Sequence, residues 1–265
     1  IFNFPTQSME ILEKDLSTII ELMVDQVTYY PLMVSSFTKD IMNKKLGTVD
    51  YDRGNEFYRK ITEMLSPQYK ASTAWCFSRK DKIFKSGATQ ARISSEVFSS
   101  HSEREGEAQP ALLAEGATQA PVIDEYVVNY EEYAGLGSGS IGYLGGSAYA
   151  NTFDIKEYID KINNGSLPVT AIKNFSMKER LCYDLLMKLF GLSLDTQQLT
   201  QKHGVNAYRY LWSEILFFRL TGGIEKKDSM LMLTKKGQYY WVLMMREFFI
   251  GVNNFRDFCR AQNKT

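Results

Sequence analysis

The sequence predicts an α/β fold, with strands and helices alternating over residues 1–150 and a mainly helical region over residues 151–265. Three observations predict it. Stretches rich in β-branched and aromatic residues alternate with stretches of helical period as far as residue 78. Six glycines fall within Gly135 to Gly146, directly after a strand-like run at 124–133. Beyond Asn151 the apolar residues recur at helical spacing.

Taken in order, Ile1-Phe2-Asn3-Phe4-Pro5 reads as the end of a buried strand, and without an initiator Met the chain is expected to be part of a longer protein. Thr6 is the expected N-cap of a helix of about 18 residues, with Met9, Leu12, Leu16, Ile19, Ile20 and Met23 on one face. Gln26 to Met33 has strand composition and is stopped by Pro31. Phe57, Ile61, Met64 and Leu65 mark a second helix, ended at Ser66-Pro67, and Tyr69 to Ser78 reads as a further strand. This rhythm predicts a parallel sheet or barrel, whose strand ends would gather Asn3 to Gln7, Pro31 to Ser35, Phe77 to Arg79 and the glycine run at one rim.

Residues 80–121 break the rhythm. Gly87-Ala88-Thr89-Gln90-Ala91 recurs as Gly116-Ala117-Thr118-Gln119-Ala120, so an insertion at about 87–120, flanked by a duplicated sequence, is expected to be disordered and dispensable for stability. The glycine run contains Gly137-x-Gly139-x-x-Gly142, but no helix opens on it. Tyr143 to Asn151 reads as turn-like, which argues against a dinucleotide fingerprint and for a ligand-cradling loop.

Past Asn151, Asp154/Glu157 and Ser176/Glu179 have capping-box spacing. Leu181, Leu185, Leu186 and Leu189 then face a core. Asp195 to Lys202 is expected as a short helix closed by Gly204, Ala207 to Leu220 as a longer one, and Gly222-Gly223 as a turn into a ribbon that ends at Leu233. A last helix begins at Lys235. Two helices, a ribbon and a closing helix make this region winged-helix-like. Its small basic excess disfavours a nucleic-acid partner, and a covering role over the α/β rim is expected instead.

The bulk numbers narrow the function classes. With 44% apolar residues in 265, the chain can bury a real core. Lys+Arg 31 equals Asp+Glu 31, so no global field recruits nucleic acid or membrane, and an anionic ligand must be met by local cations. Cys76, Cys182 and Cys259 are too widely spaced for a disulfide framework or a metal set, and a cytoplasmic location is expected, with no membrane partner. His203 ends a helix as a cap, while His101 lies in the insertion. No hydrolase or kinase motif is present. Arg79, Arg246 and Arg256 are the arginines placed to bind carboxylates.

With these residues in view, the chain resembles the carboxyl-terminal part of the oxygen-independent coproporphyrinogen III oxidase family of radical S-adenosylmethionine (SAM) enzymes. Ile1-Phe2-Asn3-Phe4-Pro5-Thr6-Gln7 is similar to that family's Asp-Leu-Ile-Tyr-Gly-Leu-Pro-Gly-Gln strand end. Asp25 to Leu32, the segment Tyr133 to Asn151, and Leu233-Thr234-Lys235-Lys236-Gly237 match further pieces. The resemblance implies the C-terminal part of a (β/α) partial TIM barrel over residues 1–150, followed by the family's helical domain over 151–265. It implies SAM and a [4Fe-4S] cluster as cofactors of the parent enzyme, an electron donor, and a tetrapyrrole substrate: coproporphyrinogen III, oxidatively decarboxylated in haem biosynthesis. Met33 and Ile141 match positions that contact SAM, and Arg79 and Arg246 are candidates for propionate contact. The Cys-x-x-x-Cys-x-x-Cys motif is absent, so these residues alone are not expected to generate a radical. The unusual Trp75-Cys76-Phe77-Ser78-Arg79 and Met244 to Phe249 leave two relatives open, a haem-modifying methyltransferase and a haem-binding carrier.

Overall fold

The computed structural model describes residues 1–82 and 132–262. The insertion expected at about 87–120, His101 and the strand expected at 124–133, apart from Glu132 and Tyr133, lie outside the described residues.

Helix α1, Met9–Leu22, starts two residues later than expected. Ser8 rather than Thr6 is the N-cap and accepts from the Ile11 N–H, while Met23 closes the helix in the left-handed region at φ 49°. Leu12 and Leu16 form its buried face and pack on Phe57, Ile61 and Leu65 of helix α3, Gly54–Leu65. Between them the sequence reading missed helix α2, Ser36–Leu46, capped by Ser35. Only Met42 of this helix is buried and Phe37 and Ile41 point to water, so the periodic signal was weak.

The stretch Tyr69 to Ser78 is a hairpin and not one strand. Thr73 Oγ1 accepts from the N–H groups of Trp75 and Cys76, a side-chain turn that folds β2, Tyr69–Ala71, back onto β3, Cys76–Arg79. Strand β1, Gln26–Thr28, adds to the other edge of β3, giving the order β1-β3-β2 with both pairings antiparallel. Parallel pairing among the described residues is confined to the bridge Phe2–Pro31, where the Phe2 N–H donates to the Tyr30 carbonyl (2.8 Å) and the Leu32 N–H to the Phe2 carbonyl (3.2 Å). The expected parallel sheet or barrel is therefore replaced here by small antiparallel sheets.

The glycine-rich segment also departs from expectation. Strands β4, Ile141–Leu144, and β5, Ser147–Asn151, form a hairpin in which Gly145 (φ 57°) and Gly146 (φ 74°) supply the two-residue turn. Strand β6, Val169–Asn174, pairs with β5, so the sheet β4-β5-β6 runs across position 150/151.

Helix α4, Ile155–Asn163, is capped by Asp154, and helix α5, Met177–Phe190, by a complete Ser176/Glu179 capping box, as the spacing predicted. Helix α6, Thr196–His203, starts at Asp195 and ends at Gly204 in the left-handed region. The next helix breaks at buried Leu211 into α7, Ala207–Tyr210, and α8, Trp212–Leu220. The ribbon β8, Ile224–Lys227, and β9, Met230–Leu233, gains a third strand, β7, Ser193–Asp195, in the order β7-β9-β8. Helix α9, Lys235–Gln262, completes the expected order of helices, ribbon and closing helix. Among the described residues no helix is long and apolar enough to cross a membrane.

One continuous core joins these parts. Trp75 is buried against Phe190 of α5 (ring centroids 4.6 Å apart), Tyr30 (5.0 Å) and Phe249 of α9 (6.0 Å). Trp241 of α9 is fully buried and donates to the Leu186 carbonyl (2.9 Å). Aromatic burial on this scale contributes ~2–3 kcal/mol per side chain, which fixes α9 against both the hairpin and α5.

Candidate functional site

The two parallel segments define a rim. Just past Phe2, Asn3 is buried yet left-handed (φ 64°), a conformation that asparagine tolerates better than most residues. Its side chain explains how it is held: Nδ2 donates to the Asp50 carbonyl (2.8 Å), Oδ1 accepts from Arg53 Nε (3.1 Å), and its N–H donates to Gln7 Oε1 (2.9 Å). Asn3, Pro31 and Leu32 line a small cavity with Tyr51, Tyr239 and Arg246. Its volume is about 10 Å³, the space of roughly one water and far below that of a nucleoside cofactor or a tetrapyrrole.

Arg246 enters this rim from α9. Its guanidinium lies 4.5 Å from the Tyr51 ring centroid, and Nε and Nη2 both donate to Glu247 Oε1 (2.9 and 2.8 Å). Adjacent residues on a helix do not face each other, so the Glu247 arm reaches round from an exposed position to make this contact. An ion pair of that kind contributes ~0–1 kcal/mol and is readily exchanged for another carboxylate. Lys39 of α2 also places its Nζ 5.1 Å from the same ring centroid. Burial raises the Tyr239 hydroxyl above its ordinary pKa, with Arg246 pulling it back down.

Arg79 sits elsewhere. Because β3 runs antiparallel to β1, with Cys76 opposite Thr28 and Ser78 opposite Gln26, the carboxyl end of β3 lies at the amino end of β1, away from Pro31. The Arg79 N–H donates to the Asp25 carbonyl (2.9 Å), its guanidinium to both Asp81 carboxylate oxygens (2.6 and 2.8 Å) and to the Met23 carbonyl. The Asp81 carboxylate raises its pKa. The expectation that Phe77 to Arg79 shares the rim with Pro31 to Ser35 fails for this topological reason.

The glycine run does not present bare amides to a ligand at the positions that matter most. The N–H of Gly135 donates to the Tyr149 hydroxyl (2.9 Å), that of Gly137 to the Tyr158 hydroxyl (3.2 Å) and that of Gly139 to the Thr152 carbonyl (2.8 Å). Asn151 Nδ2 gathers the loop through Gly135 O, Gly137 O and Ser140 Oγ, at 3.1, 3.1 and 2.9 Å. Close approach is real, but it is made by this chain's own rings. A Cβ at Gly142 would lie 2.4 Å from the Tyr149 ring, and one at Gly139 2.8 Å from Phe153.

Met33 and Ile141 are both half-buried and stand on segments tied to α9. Asn253 Nδ2 donates to the Met33 carbonyl (3.4 Å), and the Ser36 N–H to Asn254 Oδ1 (2.7 Å). Phe255, one residue on, packs against Phe153 (6.3 Å), the ring that fills the space beside Gly139. Ile141 itself pairs with Ala150. The last helix thus touches both segments.

His203 is not a cap for helix carbonyls. Its Nε2 lies 2.6 Å from Asp184 Oδ2, a buried carboxylate that also receives Lys202 Nζ (2.8 Å), and the closing of α6 is done by Gly204. This cluster ties α6 to α5 near the tilted ring pair Tyr143 and Tyr183 (centroids 4.5 Å apart). Among the described residues no group of three or more His, Cys, Asp or Glu could hold a metal ion, and Cys76, Cys182 and Cys259 are free thiols. These residues do not fit an iron–sulfur cluster. Nor do the engaged glycine amides and the one-water cavity fit a whole SAM site.

No protein-family model and no curated protein matches the chain. Among solved structures it is similar to coproporphyrinogen III oxidase (HemN) from Escherichia coli, described as a radical SAM enzyme, with TM-score 0.58 and 14% identity. The match covers 92% of this chain and 53% of that one, so the chain spans about half the length of the structure it resembles. At that identity the likeness establishes the fold.

Proposed function

We propose that this chain supplies the substrate-side wall of a radical SAM oxidoreductase that acts on a tetrapyrrole, with oxygen-independent decarboxylation of coproporphyrinogen III as its reaction. The single observation that carries the reading is the fold likeness over nearly the whole chain to coproporphyrinogen III oxidase. The rim supports it: Arg246, paired with the exposed Glu247 and resting against the Tyr51 ring, stands where the parallel segments end. In this reading Met33 and Ile141 contact SAM from segments bridged by α9, and Arg246 meets a propionate. Arg79, already held by Asp25, Asp81 and the Met23 carbonyl, leaves that role to Arg246. The cluster, with the electron donor that serves it, belongs to protein outside these 265 residues, because the required thiolate spacing is not in the sequence.

The test is titration of the chain with coproporphyrin III, followed by the Soret band, with haem titrated in parallel to separate a carrier from a decarboxylase relative. Arg246→Ala should weaken coproporphyrin binding about tenfold, the size of one lost charge-assisted contact, while Arg79→Ala leaves it unchanged. Equal affinity of wild type and Arg246→Ala would remove Arg246 from the site.

A further inference from the structure

We infer that Lys39, Tyr51 and Arg246 form a carboxylate-binding subsite, in which a substrate carboxylate is held between the ammonium of Lys39 and the guanidinium of Arg246 beside the Tyr51 ring. The inference rests on the tetrapyrrole reading for the identity of the ligand and on the geometry alone for the subsite. Two cations brought in by different helices, α2 and α9, converge on one ring, at 5.1 and 4.5 Å from its centroid. They stand no farther apart than the sum of those distances. Like charges at that range repel, and an anion between them converts the repulsion into two attractions.

The groups around them leave the position open to such an anion. Among the described residues Lys39 has no ion-pair partner and the Tyr51 hydroxyl no hydrogen-bond partner. Glu247 takes Nε and Nη2 of Arg246 through one oxygen and is mostly exposed, so it can yield. Asp50 is occupied with the N–H groups of Asp52 and Arg53. Tyr51 is itself anchored, packing with Phe4 and Val34 on a small buried cluster of Leu32, Met42 and Val49. Two cations beside an aromatic ring suit the carboxylate arm of a ligand, since Arg and Lys both bind carboxylates.

The experiment compares coproporphyrin III with its tetramethyl ester on the full chain and on the Lys39→Gln, Arg246→Gln and double variants, with Lys39→Arg and Arg246→Lys as conservative partners. The acid should bind each Gln variant about tenfold more weakly than wild type. Wild type should lose a similar or larger factor with the ester, the ester should not distinguish the variants, and the conservative changes should recover part of the loss. Near-ultraviolet circular dichroism checks that each variant is folded. An ester that binds as tightly as the acid, or a Lys39→Gln variant with wild-type affinity, overturns the subsite and leaves the tetrapyrrole reading standing.

Glutarate at tenfold its dissociation constant is the second probe, against a potassium chloride control of equal ionic strength. It should raise the wild-type melting temperature by about 3 °C and leave Lys39→Gln and Arg246→Gln unmoved. That shift in a chain that binds no porphyrin keeps the subsite and sinks the tetrapyrrole reading. Equal shifts in wild type and variants overturn the subsite.

Discussion

The glycine hairpin and the Asn3–Arg246 rim use their residues in opposite ways. The hairpin has the bareness of a ligand loop, yet its amides at Gly135, Gly137 and Gly139 and the space at Gly139 and Gly142 are taken up by Tyr149, Tyr158, Thr152 and Phe153. The rim has ordinary composition, yet it keeps two cations with little of their own chain to bind. Glycine shows that something comes close and does not say what. A cation whose carboxylate partner is exposed, or that has no ion-pair partner among the described residues, says more about a ligand, because an incoming anion can still reach it.

This contrast predicts that hairpin variants lose stability and keep affinity, whereas rim variants do the reverse. The largest loss is expected from Asn151→Ala, which strands two loop carbonyls and a hydroxyl and should cost about 2–4 kcal/mol in a urea melt. A stability within 0.5 kcal/mol of wild type, roughly the noise of surface substitutions, would mean the loop is held by something else. Gly142→Ala should follow at about 1–3 kcal/mol through overpacking against the Tyr149 ring. Its cost should shrink by about 1 kcal/mol in a Tyr149→Ala background, the coupling that identifies the ring as the cause. Gly145→Ala sharpens the comparison from inside the hairpin: nothing lies within contact of its Cβ, so only the left-handed backbone is penalised, about 1 kcal/mol. Smallest should be Arg246→Gln, below about 1 kcal/mol in stability, while its effect on coproporphyrin binding is the largest of the set.

Much of the helical half was legible in the sequence because its signals are local. Asp154 and Ser176 cap the helices their spacing announced, Asp195 opens the short helix expected from it, and Gly204 and Gly222 end the segments they punctuate. The sheets were harder, since pairing depends on partners far along the chain. Ser72-Thr73 between two β-prone runs is a turn signal that was passed over, and reading Tyr69 to Ser78 as one strand carried Arg79 to the wrong end of the sheet. Gly145-Gly146 between Tyr143-Leu144 and Ser147-Ala148-Tyr149 was likewise a two-residue hairpin signal in plain view. Of the candidate site, Arg246 was legible as a carboxylate-seeking arginine. Lys39 and Tyr51 were not, because α2 shows a single buried residue and Tyr51 lies in a loop without period.

The bonds that tie α9 to the start of α2 set more than a packing arrangement. Asn254 Oδ1 takes the Ser36 N–H, Asn253 reaches the Met33 carbonyl, and Trp241 and Phe249 anchor the same helix upstream. Lys39 stands one turn beyond Ser36, and Arg246 two turns before Asn254. The two cations are therefore the jaws of a calliper whose hinge is locked. Its gap is written into the length of helix between each jaw and the Ser36–Asn254 bond, so moving either cation by one helical turn should abolish their shared grip on a single carboxylate.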